Sequence, residues 1–303
     1  MALRKPAVPG LTNYSDFFFH QKIHGKNTTT MPARVSSKRS ADIASHSKVR
    51  LGGSRPVDSR LFGHGVPGAS FFQAIRPTSS NTFVGGPVFG AMERTVDMSE
   101  LEEPTRALPM VGAERTILDD ERIAHIVGHG HRILSRRSVP GLNLEVEETP
   151  DAIVGKLIIQ AGVTIAHPIH MCFGLAHPTG NQRIHVDVRV EKGAAARVLA
   201  HCLFPVAQAA EHRMQAKIDI GPDASLTYTE GHYHGPHGGM EVLPHATIRI
   251  GKGARYFSDF SLLSCSVGSL DVDYSVEVEE AGIAELTAKI FAHRTDHITS
   301  RKS

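Results

Sequence analysis

From about Leu118 onward the chain is written in short apolar runs separated by glycine and proline signals. Residues 123–127 and 131–134 flank Gly128-His129-Gly130, a pattern that predicts a β-hairpin. Val139-Pro140-Gly141 predicts a turn, and Leu157-Ile158-Ile159 a short buried strand. Residues 184–190 alternate apolar and polar side chains, the mark of a half-buried strand. One phrase then recurs. Val188-Arg189-Val190-Glu191-Lys192-Gly193 is followed by Ile218-Asp219-Ile220-Gly221-Pro222-Asp223-Ala224 and by Ile248-Arg249-Ile250-Gly251-Lys252-Gly253-Ala254. A worn copy stands at Val276-Glu277-Val278-Glu279-Glu280-Ala281-Gly282. The starts at 188, 218, 248 and 276 are 30, 30 and 28 residues apart, with Ile158 one step of 30 upstream of the first.

A repeat of this length, with β alternation and no helical phrase, predicts a mainly β fold: a β-solenoid whose coils bury a shared core by stacking. A β-sandwich is the competing architecture, but it has no need of a constant phrase length. Stacking makes a geometric prediction. Residues one period apart lie one above another, about 4.8 Å apart between neighbouring strands. One such column reads Cys172, Cys202, His232 and Leu262, with Cys265 three places away from it. Alternation within a strand puts Glu230, His232 and His234 on one face.

The first part of the chain reads differently. Residues 1–60 hold eleven Lys/Arg against three Asp/Glu, while the remaining 243 residues hold 22 against 28. The overall formal charge of +2 therefore hides a basic head on a mildly acidic body. Residues 1–116, rich in Ser, Pro and Gly, show no sustained period and are expected to be a largely disordered extension, with 117–303 as the β-helical core. A short helix is expected near Ser99, where Glu102 stands in capping-box position. A transit peptide or a nucleic-acid arm would share the head's composition. Pro6, Pro9 and the Phe17-Phe18-Phe19 cluster break a clean amphipathic helix, and no nucleic-acid partner is expected.

Three cysteines in 303 residues cannot build a disulfide framework, so the chain reads as a protein of a reducing, cytoplasmic compartment. No apolar run approaches the roughly 18 residues of a membrane span, and no membrane association is expected. The unusual count is 19 histidines. They gather with cysteine and glutamate in His167-Pro168-Ile169-His170-Met171-Cys172, His201-Cys202, His212-Arg213-Met214 and Glu230-Gly231-His232-Tyr233-His234-Gly235-Pro236-His237. Thiolate and imidazole suit iron and zinc. No zinc-finger spacing is present, so the fold must assemble any site. The candidates are Cys172, Cys202 and His232 for a sulfur-containing group, with His201, Glu230 and His234 as further metal ligands. Each cysteine could equally be a small buried hydrophobe. The His232/His234 pair also allows a metal-dependent, cupin-like β enzyme, although Glu241 follows too late for the usual spacing. The chain lacks G-x-x-x-x-G-K-[ST], so hydrolysis of ATP by the chain itself is not expected.

Several of these runs occur in a familiar order. Pro168-Ile169-His170-Met171-Cys172-Phe173-Gly174, Ala200-His201-Cys202-Leu203-Phe204-Pro205, His212-Arg213-Met214-Gln215-Ala216 and Tyr228-Thr229-Glu230-Gly231-His232-Tyr233-His234-Gly235 resemble the SufB/SufD family, in its short archaeal-type branch. Residues 120–298 fit the pattern, with Gly268-Ser269-Leu270-Asp271 and Lys289. The resemblance implies a right-handed parallel β-helix and a non-enzymatic scaffold of SUF iron–sulfur cluster assembly. It implies a transient iron–sulfur cluster, or its iron and sulfide precursors, as cargo. It also implies three partners: a SufC-type ABC ATPase, a second SufB/SufD-type subunit and a sulfur donor protein. Family members continue past the point corresponding to Ser303, into more β-helix and a helical part that docks the ATPase. The core is therefore expected to be truncated at its C-terminal end, with an open sheet edge on its last coil.

Overall fold

A computed structural model describes residues 14–25, 36–39, 106, 108–111, 115–262, 265–293 and 295–303. The solenoid starts with β7 (Ile169–Gly174) and β8 (Thr179–Val190), followed by β9 (Ala195–Phe204) and β10 (Ala209–Ile220). It continues through β11 (Ser225–His234), β12 (Met240–Ile250), β13 (Arg255–Leu262), β14 (Gly268–Val278), β15 (Ile283–His293) and β16 (His297–Lys302). Odd-numbered strands of this run enter one sheet and even-numbered strands the other, all parallel to their neighbours. Each odd–even pair is one coil, giving about five turns and two sheets that face each other across an apolar lumen. This is the expected mainly β solenoid. It is not the jelly-roll barrel that a cupin-like enzyme requires.

The phrase starts hold their places. Val188, Ile218, Ile248 and Val276 are direct partners across β8, β10, β12 and β14. The upstream extension of the column is off by one. Leu157 of β6 (Ile153–Ile159) pairs with Val188, and Ile158 pairs with Arg189. Leu157 is therefore buried, and Ile158 turns the other way.

Each phrase ends in a corner built the same way. Gly162, Gly193, Asp223, Gly253 and Ala281 all have a left-handed backbone, with φ of 72, 67, 58, 69 and 57°. Their amides form a ladder between coils: Gly162 N to Lys192 O at 2.9 Å, Gly193 N to Pro222 O at 2.9 Å, Asp223 N to Lys252 O at 2.9 Å and Gly253 N to Glu280 O at 3.0 Å. The next residue at three of these corners, Ala194, Ala224 and Ala254, is small and buried. The glycines of the repeat thus mark a conformation that a side chain at that position resists.

The predicted hairpin near Gly128 is present as β3 (His125–His129) and β4 (Arg132–Arg137), with its turn at Gly130 and His131. β4 lies antiparallel on β3 and finishes one sheet, while β5 (Leu142–Glu148) lies antiparallel on β6 and finishes the other. The turn at Val139-Pro140-Gly141 is present between β4 and β5, with Gly141 at φ 86°.

The far end of the first sheet departs from expectation. β1 (Tyr14–His24) pairs antiparallel with β15 along its whole length, and β2 (Ser36–Arg39) pairs with β1. Strands β1 and β2 thus lie within residues 1–116, and β1 covers the edge of β15, while β16 is the edge strand of the other sheet. The reason is tertiary. β15 offers a row of unpaired backbone groups, and Phe19 and Ile23, alternate residues of β1, pack onto the core. Two short 3-10 turns, Leu108–Val111 within the extension and Arg115–Leu118 across its end, are also described. The helix expected near Ser99 lies outside the described residues. Among the described residues no helix is long and apolar enough to cross a membrane.

The corner ladder yields a pair of opposite mutational effects. Gly193 has open space where a Cβ would be added, so Gly193→Ala isolates the backbone term and should destabilise by about 1 kcal/mol. Ala281→Gly relieves the same strain and should stabilise by about 1 kcal/mol or slightly less. Urea denaturation midpoints with unchanged slopes check both signs.

Candidate functional site

The lumen between β9, β10 and β11 contains a group of polar side chains within an otherwise apolar core. Cys202 of β9 and His232 of β11 are register partners in one sheet. His212 projects from β10 in the facing sheet. Alternation explains the orientation: Ala210, His212, Met214, Ile218 and Ile220 are the buried residues of β10. Ligand atoms of Cys202, His212 and His232 lie within 4.8 Å of one another. Along β11, Glu230 and His234 flank His232 on the same face, as alternation predicts. Relative exposures of Cys202, His212, Glu230, His232 and His234 are 0, 0, 2, 3 and 1%.

The hydrogen bonding of this group is incomplete. His232 Nε2 and Glu230 Oε1 are 2.6 Å apart, a short imidazole–carboxylate contact. His232 Nδ1 and His234 Nε2 are 3.4 Å apart, and the two rings stack with centroids 5.7 Å apart. Both nitrogens of His212, and Nδ1 of His234, have no protein partner. Phe204 and Phe260 line the group, with Phe204 4.9 Å from the His212 ring and Phe260 4.9 Å from the His232 ring. Buried polar atoms are normally paired, and leaving one unpaired costs about 1–3 kcal/mol. Burial disfavours charge here. It lowers the His212 and His234 imidazoles well below their ordinary value and raises the Cys202 thiol well above its own, with Glu230 adding to the rise at Cys202.

Cys172 is not in this group. The step between β7 and β9 is 29 residues rather than 30, so Cys172 pairs with His201 and Phe173 pairs with Cys202. A shift of one residue reverses every side chain. Cys172 and His201 thus lie on the outer face of the sheet, opposite Cys202. Cys172 packs with Leu108, Leu118, Val127, Leu134 and Leu203, and burial pushes its thiol up to about 12. His201 meets His170 instead, with His170 Nδ1 and His201 Nε2 3.3 Å apart. Nearby, His125 Nε2 is 2.8 Å from Ser135 Oγ. Cys265 sits in a corner before β14, at φ 66° and partly exposed, so coil slippage does not bring it to the column.

The structure therefore unites four of the six candidates, Cys202, Glu230, His232 and His234, and places Cys172 and His201 elsewhere. It adds His212, which was visible as part of a cluster but was not among the selected ligands. A column argument finds only neighbours within one sheet. His212 reaches the group from across the lumen, half a coil away. Extending the alternation of Ile218 and Ile220 back through Met214 would have pointed it inward. His232 and His234, the pair behind the enzymatic reading, are both buried.

No protein-family model matches the chain. Over 183 residues, 58% of this chain, it is 32% identical to an iron-sulfur cluster assembly SufBD family protein of Methanocaldococcus jannaschii. The chain is thus similar to a protein of the SufBD family. A SufBD family protein of Pyrococcus horikoshii is 28% identical over 187 residues, 62% of this chain. The chain spans 57% of the length of each of these relatives. The SufBD resemblance first read from the order of the His- and Cys-bearing runs is thus borne out.

Two outcomes follow from the burial pattern. Under native reducing conditions a thiol reagent should label Cys265 rapidly, and Cys172 and Cys202 only on unfolding. Cys265→Ser should remove the fast phase; mass spectrometry of the labelled peptides checks this. The second concerns acid. Burial, reinforced by Arg137 at His125 and by His170 at His201, lowers both imidazoles to about 4. The unfolded chain binds protons at these residues first, near pH 6.5. Their contribution to stability is therefore complete above that pH and is lost as pH falls towards 4. Urea midpoints at pH 7.5 and pH 5 should show the loss, and His125→Gln should reduce it.

Proposed function

We propose that this chain is a scaffold component of SUF-type iron–sulfur cluster assembly, without catalytic activity of its own. Its cargo would be a transient cluster or the iron and sulfide that form one. The observation that carries the reading is the sealed thiol–imidazole group at Cys202, His212 and His232, within a chain akin to proteins named for this assembly. The donor set fits the cargo: a thiolate and imidazoles hold iron, and the bound iron in turn holds sulfide. Cys202 would be the thiolate ligand and His232 its partner one coil on, with His234 beside them and Glu230 orienting and balancing His232. Burial keeps Cys202 protonated until a cation or a proton acceptor compensates the thiolate. Cys172 and His201 would form a separate outer-face station with His170.

A SufC-type ABC ATPase, a second SufB/SufD-type subunit and a sulfur donor are the proposed partners. The lack of a phosphate loop in the chain is consistent with an ATPase supplied by a partner. Cytoplasmic residence is proposed on the same footing, from three cysteines that all stand free.

Anaerobic reconstitution with ferrous iron and sulfide, followed by desalting, tests the reading. Wild type should retain both iron and acid-labile sulfide. Cys202→Ser and His232→Gln should each lower both several-fold, and Cys172→Ser less. Retention unchanged in Cys202→Ser and His232→Gln, with the fold intact by circular dichroism, overturns it.

A further inference from the structure

The lumen group carries a more specific conclusion, which rests on the reading above in taking the lumen as the working site. We propose that it is a mononuclear site for a borderline-soft divalent cation of the ferrous and zinc class, ligated by Cys202 Sγ, His212 and His232 Nδ1, with His234 Nε2 at the fourth position.

Composition argues for one ion rather than a preformed cluster. Iron–sulfur clusters are usually held by four cysteine thiolates, and Cys202 is the one cysteine that faces this lumen. One thiolate with imidazoles is instead a mononuclear donor set. Geometry agrees. Ligand atoms of Cys202, His212 and His232 stand within 4.8 Å of one another, so rotamer shifts of about an ångström close them on one ion. His232 uses Nε2 on Glu230, which leaves Nδ1 free to ligate. Its neighbour there is His234 Nε2 at 3.4 Å. Two nitrogens bound to one tetrahedral ion at roughly 2.0–2.1 Å stand roughly 3.3–3.4 Å apart.

Charge and polar satisfaction point the same way. A divalent cation with the Cys202 thiolate and the Glu230 carboxylate sums to zero, which a fully buried cavity requires. Binding releases the thiol proton, and M²⁺ replaces it on sulfur. The ion also gives a partner to His212, fully buried with both nitrogens unpaired. Glu230 on the remote nitrogen of His232 is the carboxylate–histidine–metal arrangement that fixes a ligand's tautomer. The group is sealed, so the ion enters as the coils close or through their transient opening. Once in place it should leave slowly.

The test uses metal alone, without sulfide. The full chain is produced with Co²⁺ in place of other transition metals, purified anaerobically under reducing conditions and desalted. Elemental analysis should find one Co²⁺ per chain, and absorption should show tetrahedral d–d bands with a thiolate-to-cobalt charge-transfer band. Cys202→Ser should abolish the charge-transfer band. His212→Gln and His232→Gln should each lower retained cobalt about tenfold or more. Glu230→Gln should weaken binding about 10–100-fold, and Cys172→Ser and Cys265→Ser should change nothing. Wild type without cobalt, or without the thiolate band, overturns the proposal, and that result does not depend on any variant folding. The band surviving in Cys202→Ser, or vanishing in Cys172→Ser, also overturns it. Retention of iron only together with sulfide would sink this inference and leave the assembly role standing. Cobalt bound without any capacity for labile sulfide would do the reverse.

Discussion

Whether a side chain of this protein faces the lumen or its surroundings is decided by the parity of backbone pairing between coils. Parallel strands stack in whole-residue steps, and successive side chains alternate faces. Register partners share a compartment whatever the step, so residues 30 apart share one where the step is 30 and face opposite sides where it is 29 or 31. The step of 30 from β9 to β11 sets Cys202 beside His232. The step of 29 from β7 to β9 sets Cys172 beside His201, outside. The separation of two thiols that look equivalent in the sequence thus follows from one residue's difference in coil length.

The same rule says what was legible and what was not. The fold could be read because the apolar phrase at 188, 218, 248 and 276 recurs at even steps, and the corners carry left-handed residues at matching places. Ile158 and Cys172 were misplaced because the steps into that phrase are 31 and 29. Neither composition nor alternation records where a coil gains or loses a residue in its turn. Within the site, alternation along β11 correctly grouped Glu230, His232 and His234. His212 escaped because a period finds vertical neighbours, whereas the lumen also brings opposite walls together. The strand at Tyr14–His24 was illegible for another reason: its partner lies at the other end of the chain, and no local pattern names it.

A lumen of this kind has a physical tension. The four polar residues near Cys202 sit in a lumen that the following coils fill with Tyr256, Leu262 and Leu286. On packing alone an apolar filling would be the more stable choice, since several nitrogens lack protein partners. Such a departure from the otherwise consistent apolar pattern is what a working site looks like inside a stable scaffold. The neighbouring coils keep it dry and fix the ladder that aligns it.

The pairing of β1 with β15 joins residues 14–24 to residues 283–293. Few contacts in the molecule span more of the chain. Solenoid coils are made from near neighbours and can zip up in order as the chain emerges, but this strand must wait for the last coil of its sheet. Contacts between such distant segments are slow to form because the intervening chain must first be gathered in. On the ribosome, residues 14–24 emerge before β15 and can seat only after it, so their docking reports that β15 has formed.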